Sequence, residues 1–237
     1  MKLSIKKQIV ALGGGGFSME PENPLLDLYV LGLASKKTPK VCFIPTASAD
    51  SSEYTVNFYR SYSQFDCQTT HLSLFKPPTA DIESFVMDQD VFVVGGGNTK
   101  NLIALWREWK LDQFLFKAYN AGKILSGISA GALCWFESGI TDSIPGDLTP
   151  LNCLGFISGS HSPHYDGEEK RRPRYHYWIE QKKIPGGIAA DDGAALHFID
   201  GKLHKVVSSR KKAKGYKVEL EGKKIVETIL PTTFLGR

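Results

Sequence analysis

The chain has 237 residues, 42% of them hydrophobic, and carries Lys+Arg 29 against Asp+Glu 25 for a net charge of +4. Such a composition describes an ordinary globular protein with a sizeable core and excludes a disordered one. The charge excess is too small to argue for nucleic acid, and no apolar run is long enough to cross a membrane.

The first apolar run, residues 8–12, predicts a buried strand that empties into Gly13-Gly14-Gly15-Gly16. Pro21 and Pro24 stand where a helix would open out of a dinucleotide fingerprint, so a nucleotide cofactor is not expected. Helical spacing follows over residues 25–34, then a strand at 40–45 and a helix capped by Ser51 or Ser52 and running to about 63. Residues 67–74 alternate as a strand, and Asp81 opens a short helix to 87. The β-branched strand 90–94 runs into Gly95-Gly96-Gly97-Asn98-Thr99. Two helical stretches follow, the second over 111–119 and closed by Asn120-Ala121-Gly122. Lys123-Ile124-Leu125 then leads into Gly127-Ile128-Ser129-Ala130-Gly131, with helix expected over 130–136.

This alternation predicts an α/β fold with a mostly parallel sheet covered by helices on both faces. Beyond it, residues 141–163 read as mostly loop, 168–181 as helix, and the end as short hairpins: 194–199 with 203–207, and 217–220 with 223–230. No linker divides the chain, so residues 1–237 read as one domain. The four cysteines form no C-x-x-C pair and read as buried free thiols. The basic residues 1–7 lead into glycines, with no apolar segment of a secretory signal, which makes the cytoplasm the default compartment.

Strand, tight turn with serine, then helix is the setting of a nucleophile elbow, which marks Ser129 as a candidate nucleophile. Its oxyanion donors would be the N–H of Ala130 and of a residue in a neighbouring loop, for which Gly97 is well placed. A serine needs a base. His164, in the loop-like run Ser160-His161-Ser162-Pro163-His164-Tyr165-Asp166, is the first candidate, with His161 its rival. For the orienting carboxylate, Asp142 is put ahead of Asp191 and Asp192 because its loop lies between serine and histidine. A metal site is not expected: Pro163 interrupts His161-x-x-His164, and no H-E-x-x-H is present.

The stretches V-G-G-G-N-T (94–99), G-I-S-A-G-A (127–132) and S-P-H-Y (162–165), at their spacing, resemble the peptidase E family of serine peptidases, which includes aspartyl dipeptidases and cyanophycinases. The likeness extends over about residues 8–204. It implies a flavodoxin-like sheet, related to class I glutamine amidotransferases, with serine in place of their cysteine. Carried over, it makes Ser129 the nucleophile, His164 the base, and Gly97 and Ala130 the oxyanion donors. The family's acid sits shortly after the elbow beside a proline. Here that loop reads Thr141-Asp142-Ser143-Ile144-Pro145, so Asp142 falls close to the position, Ser143 can occupy it, and Asp192 stays open.

Asn98 and Arg171 are the substrate-binding residues the resemblance implies, Arg171 matching the aspartyl carboxylate with its planar fork. The expected activity is hydrolysis of small peptides, N-terminal Asp-Xaa dipeptides foremost, without cofactor. Partners are limited to the peptide, with a homodimer left open and neither nucleic acid nor membrane expected. The alternatives are a cyanophycinase-like hydrolase of β-aspartyl-arginine peptides and a non-catalytic binding protein on the same fold.

Overall fold

Apolar runs of four or five residues form the central strands, and residues at helical spacing cover them. The structure, a computed structural model, describes residues 5–236, so the first four of the basic N-terminal residues lie outside it. The first half runs β1 (Gln8–Leu12), α1 (Gly16–Met19), α2 (Leu25–Leu31), β2 (Lys40–Ile44), α3 (Ser52–Tyr62), β3 (Gln68–His71), α4 (Ile82–Met87), β4 (Val91–Val94), α5 (Thr99–Glu108), α6 (Leu111–Asn120), β5 (Ile124–Ile128) and α7 (Ala130–Leu133). The second runs β6 (Phe136–Thr141), β7 (Thr149–Asn152), β8 (Ile157–Ser162), α8 (Arg171–Glu180), β9 (Gly187–Ala190), β10 (Ala194–Ile199), β11 (Lys202–Ser208), β12 (Gly215–Glu221), β13 (Lys224–Leu230) and β14 (Thr232–Phe234).

The strands form two sheets. The larger has the order β14-β11-β10-β1-β5-β4-β2-β3, and its block from β1 to β3 is parallel. Successive residues of each central strand split between its faces. Ile9, Ala11, Cys42, Ile44, Phe92 and Val94 pack with Trp106, Leu115 and Val86 of α4 to α6. Val10, Leu12, Val41, Phe43, Val91 and Val93 pack with Phe17, Leu26, Val30, Phe58 and Tyr62 of α1 to α3. Both faces are therefore covered, as a parallel block requires.

The second half departs from the expected loop and hairpins. Residues 141–163 contain β7 and β8, helix ends at Leu133 rather than 136, and β6 begins at Phe136. With β9, β12 and β13 they build a second sheet, ordered β13-β12-β9-β8-β6-β7. The hairpin β10–β11 joins the first sheet beside β1, while β12–β13 joins the second. A single helical turn, α1, does open directly out of the glycine run, contrary to expectation, with Gly15 and Gly16 at positive φ. The predicted caps Ser51 and Asp81 each accept a backbone N–H of the first turn. The four cysteines are free, and among the described residues no helix is long and apolar enough to cross a membrane.

Candidate active site

Parallel strands deliver their C-terminal ends to one edge, and the residues singled out by sequence gather there. Ser129 follows β5 with φ 56 and ψ −112, a backbone conformation costly for a residue with a Cβ. The flanking glycines are steric necessities: a Cβ on Gly127 would overlap the Gly131 carbonyl, and one on Gly131 the Val94 carbonyl. The elbow thus closes against β4, and Ser129 stands beside Gly96 of the neighbouring loop.

Gly97, in that loop, has φ +133. Neither its N–H nor that of Ala130 has an acceptor among the described residues. Two free donors at the elbow are what an oxyanion hole requires. Tyr54 steadies the loop, accepting the Gly96 N–H at 3.3 Å and donating its O–H to Ser18 at 2.9 Å.

His164 follows β8 and also sits at positive φ, 52. Its Nδ1 lies 2.6 Å from Asp192 Oδ1, and both side chains are mostly buried. A carboxylate accepts, so Nδ1 carries the proton, and in the neutral imidazole Nε2 is the nitrogen with the lone pair. Asp192 is held in turn: its N–H donates to Asp166 at 2.8 Å, and the following Gly193 donates to the Gly14 carbonyl at 3.0 Å. Ser129 Oγ has no hydrogen-bond partner among the described residues, His164 included, an open arrangement common in enzymes without substrate.

The expected acid, Asp142, is not at the histidine. It extends into solvent from the end of β6, 68% exposed, with Oδ1 3.8 Å from Arg171 Nη2. The partner of His164 is Asp192 because β9 runs parallel to β8 and its end bridges to Gly14. Ser143 faces the other way, tying its loop to Asn98 and Lys100.

Arg171 is buried, with Nε on Glu168 at 2.6 Å and Nη1 on the Ile140 carbonyl at 3.1 Å. Nη2 has only longer contacts, to Glu168 at 3.4 Å and Asp142 at 3.8 Å. Asn98 is the N-cap of α5: Oδ1 accepts the Asn101 N–H and Nδ2 donates to the Ser143 carbonyl. Its side chain is engaged in holding loops rather than left free for a ligand. His161, the rival base, is fully buried, stacked on Phe136 and bonded through Nδ1 to the Ile188 carbonyl. Burial pushes it down to about 4, so it stays neutral.

Sequence reasoning held Asp192 open but did not select it, and it missed the supporting roles of Asp166 and Tyr54. The available signal for Asp192 was its place two residues past a strand end, Ala189-Ala190.

The fold is shared by solved peptidase structures. A putative peptidase E protein from Listeria monocytogenes EGD-e matches with a TM-score of 0.61 at 18% identity, covering 95% of this chain and 100% of that one. A peptidase from an acI-B1 actinobacterium matches with a TM-score of 0.65 at 17% identity, covering 96% and 98%. The chain belongs to Peptidase family S51, whose family model matches residues 9–206. It is also 55% identical over 230 residues to the uncharacterized peptidase YgaJ of Bacillus subtilis (strain 168), covering 97% of this chain and 100% of that relative.

Proposed function

We propose that the protein is a serine peptidase of small peptides, with Ser129 as nucleophile, His164 as general base and Asp192 as the orienting acid. The observation that carries this reading is the 2.6 Å His164–Asp192 hydrogen bond beside a serine on a strained elbow. Asp192 fixes the tautomer, so Nε2 takes the Ser129 proton as Oγ attacks the scissile carbonyl. The oxyanion forms at the free N–H groups of Gly97 and Ala130. His164 then returns the proton to the leaving amine, and water, activated by the same nitrogen, releases the acyl group from Ser129.

For the substrate we propose N-terminal aspartyl dipeptides. Arg171 Nη2 is the least satisfied donor of the guanidinium, and a substrate carboxylate can take the loose place held by Asp142. One observation favours a second reading. Asp142 and Glu168 set two carboxylates on one buried guanidinium, leaving a local negative excess that suits a cationic side chain, as in β-aspartyl-arginine peptides.

Hydrolysis of aspartyl-p-nitroanilide and of a β-aspartyl-arginine dipeptide, against the leucyl and arginyl p-nitroanilides and with Ser129→Ala as control, tests both. Aspartyl-selective turnover lost in Ser129→Ala supports the first reading. Turnover confined to a β-aspartyl-arginine dipeptide supports the second. A wild-type protein that neither turns over nor labels with a fluorophosphonate overturns both in favour of a non-catalytic binding protein.

A further inference from the structure

Beyond residue 206, where the family match ends, β12 and β13 reach back to the two loops that carry His164 and Asp192. Tyr216 of β12 donates its O–H to Asp191 Oδ2 at 3.0 Å, and the Lys214 N–H donates to the same oxygen at 2.9 Å. The Asp191 N–H donates to the Lys214 carbonyl, which closes a two-way lock on the residue before Asp192. Burial raises the Asp191 carboxyl, and the Lys214 and Tyr216 donors oppose that shift.

Glu227 of β13 secures the other loop. It accepts the Tyr165 O–H at 2.6 Å, and the His176 Nε2–H at 3.0 Å. Tyr165 is the residue after His164, and its N–H donates to the Ala190 carbonyl at 3.1 Å. Arg172 of α8 joins the two halves. Its guanidinium lies 4.6 Å over the Tyr165 ring and 4.7 Å over the Tyr216 ring, with Nε 3.7 Å from Glu227.

Each half of the His164–Asp192 pair is therefore one peptide bond from a residue clamped by the C-terminal hairpin. We propose that this hairpin is a positioning element of the active site, and that Tyr216 and Glu227 are positioning residues acting through His164 and Asp192. The inference rests on the serine peptidase reading above. Neither side chain is proposed to touch substrate. Their effect is to fix the angle at which the imidazole is presented, where a displacement near 1 Å costs about 10²-fold in rate.

The experiment measures the rate of fluorophosphonate labelling of Ser129 in wild type, Tyr216→Phe and Glu227→Gln, and in each combined with His164→Ala. Circular dichroism checks the folded fraction. Both changes are isosteric, and Tyr216→Phe keeps the ring beneath Arg172. Labelling is expected to slow by about 10–100-fold in each folded single variant. In the His164→Ala background the same changes are expected to have no further effect, because the residue they act through is gone. Unchanged labelling in the folded single variants overturns the proposal, as does an equal drop that persists without His164. Loss of the fold in both variants makes the hairpin a stability element and overturns it as well. A wild-type protein that does not label removes the serine reading itself, and this inference with it.

Discussion

Ser129 and His164 hang from consecutive carbonyls of one strand end: the Ser129 N–H donates to Leu12 and the His164 N–H to Gly13, each at 3.1 Å. Neighbouring carbonyls of a strand point to opposite sides. The end of β1 therefore acts as a spacer, holding the serine of the first sheet on one side and the histidine loop of the second on the other. The start of the glycine run after β1 is thus the junction between the Ser129 elbow and the His164 loop.

Gly14 is the tightest point of that spacer. A Cβ there would overlap Asp192 Oδ1 and come within 3.0 Å of His164 Nδ1. The clash falls on side-chain atoms rather than on backbone, so Gly14→Ala is expected to keep the fold and break the His164–Asp192 bond. Peptidase turnover should fall by about 10²–10⁴-fold, with the thermal midpoint little changed. Assay and melting curve on one preparation check this, and retained activity would mean that the pair does not orient the base.

The two candidate acids separate cleanly by substitution. Asp192→Asn removes the charge that stabilises the imidazolium and can present an amide donor to Nδ1, which selects the wrong tautomer, and is expected to lower kcat by about 10³–10⁴-fold. Asp142→Asn removes only an exposed carboxylate 3.8 Å from Arg171, so kcat should stay within a few-fold while KM for charged substrates shifts. Steady-state kinetics on both variants decides between them, and a collapse of kcat in Asp142→Asn would return that residue to the triad.

The parallel half was legible because its strands are short apolar runs closed by glycine loops. The second sheet was not, because its central strand β8 is buried through polar residues. Ser160, His161 and Ser162 of β8 are all fully buried, which hydrophobic alternation cannot reveal. Most of their polar atoms have partners built in: Ser160 bonds the Pro185 carbonyl and Tyr175, and His161 Nδ1 the Ile188 carbonyl, while His161 Nε2 is buried without a partner among the described residues. The same blindness hid the acid. Loop order along the chain favoured Asp142, while the parallel pairing of β8 with β9 brings Asp192 beside His164. Arg171 was legible as a cation near the site but not as one already bonded to Glu168.

The elbow also stores strain that stability measurements can read. A non-glycine residue at φ 56 and ψ −112 costs roughly 1–3 kcal/mol. Glycine relieves that cost but gives back about 0.5–1 kcal/mol of chain entropy. Ser129→Gly is therefore expected to be inactive yet more stable than wild type by about 1 kcal/mol, whereas Ser129→Ala, which keeps its Cβ, should be inactive without that gain. Urea denaturation of the three proteins distinguishes these outcomes. A Ser129→Gly protein less stable than Ser129→Ala would show that the turn holds no usable strain.

A second store of free energy lies under α1. Asp27 is buried, accepts the Tyr62 O–H at 2.9 Å, and is pushed up by burial to about 6 from an ordinary 3.8. With the folded value above the unfolded one, the folded state holds more protons. This group's stabilising contribution is present below about pH 4 and is lost as pH rises through 6, on the order of 2–3 kcal/mol in all. Buried His161, pushed down to about 4, acts in the opposite sense, with stability present above 6.5 and lost as pH falls towards 4. In wild type the two slopes oppose each other between pH 4 and 6. Asp27→Asn removes one of them. The variant is expected to be more stable at pH 7 by about 1–2 kcal/mol, since the amide keeps one acceptor for Tyr62. It should also lose stability more steeply than wild type as pH falls from 6.5 to 4. Denaturation midpoints across that range check the sign directly, and parallel curves for the two proteins would mean that Asp27 does not titrate between the folded and unfolded states.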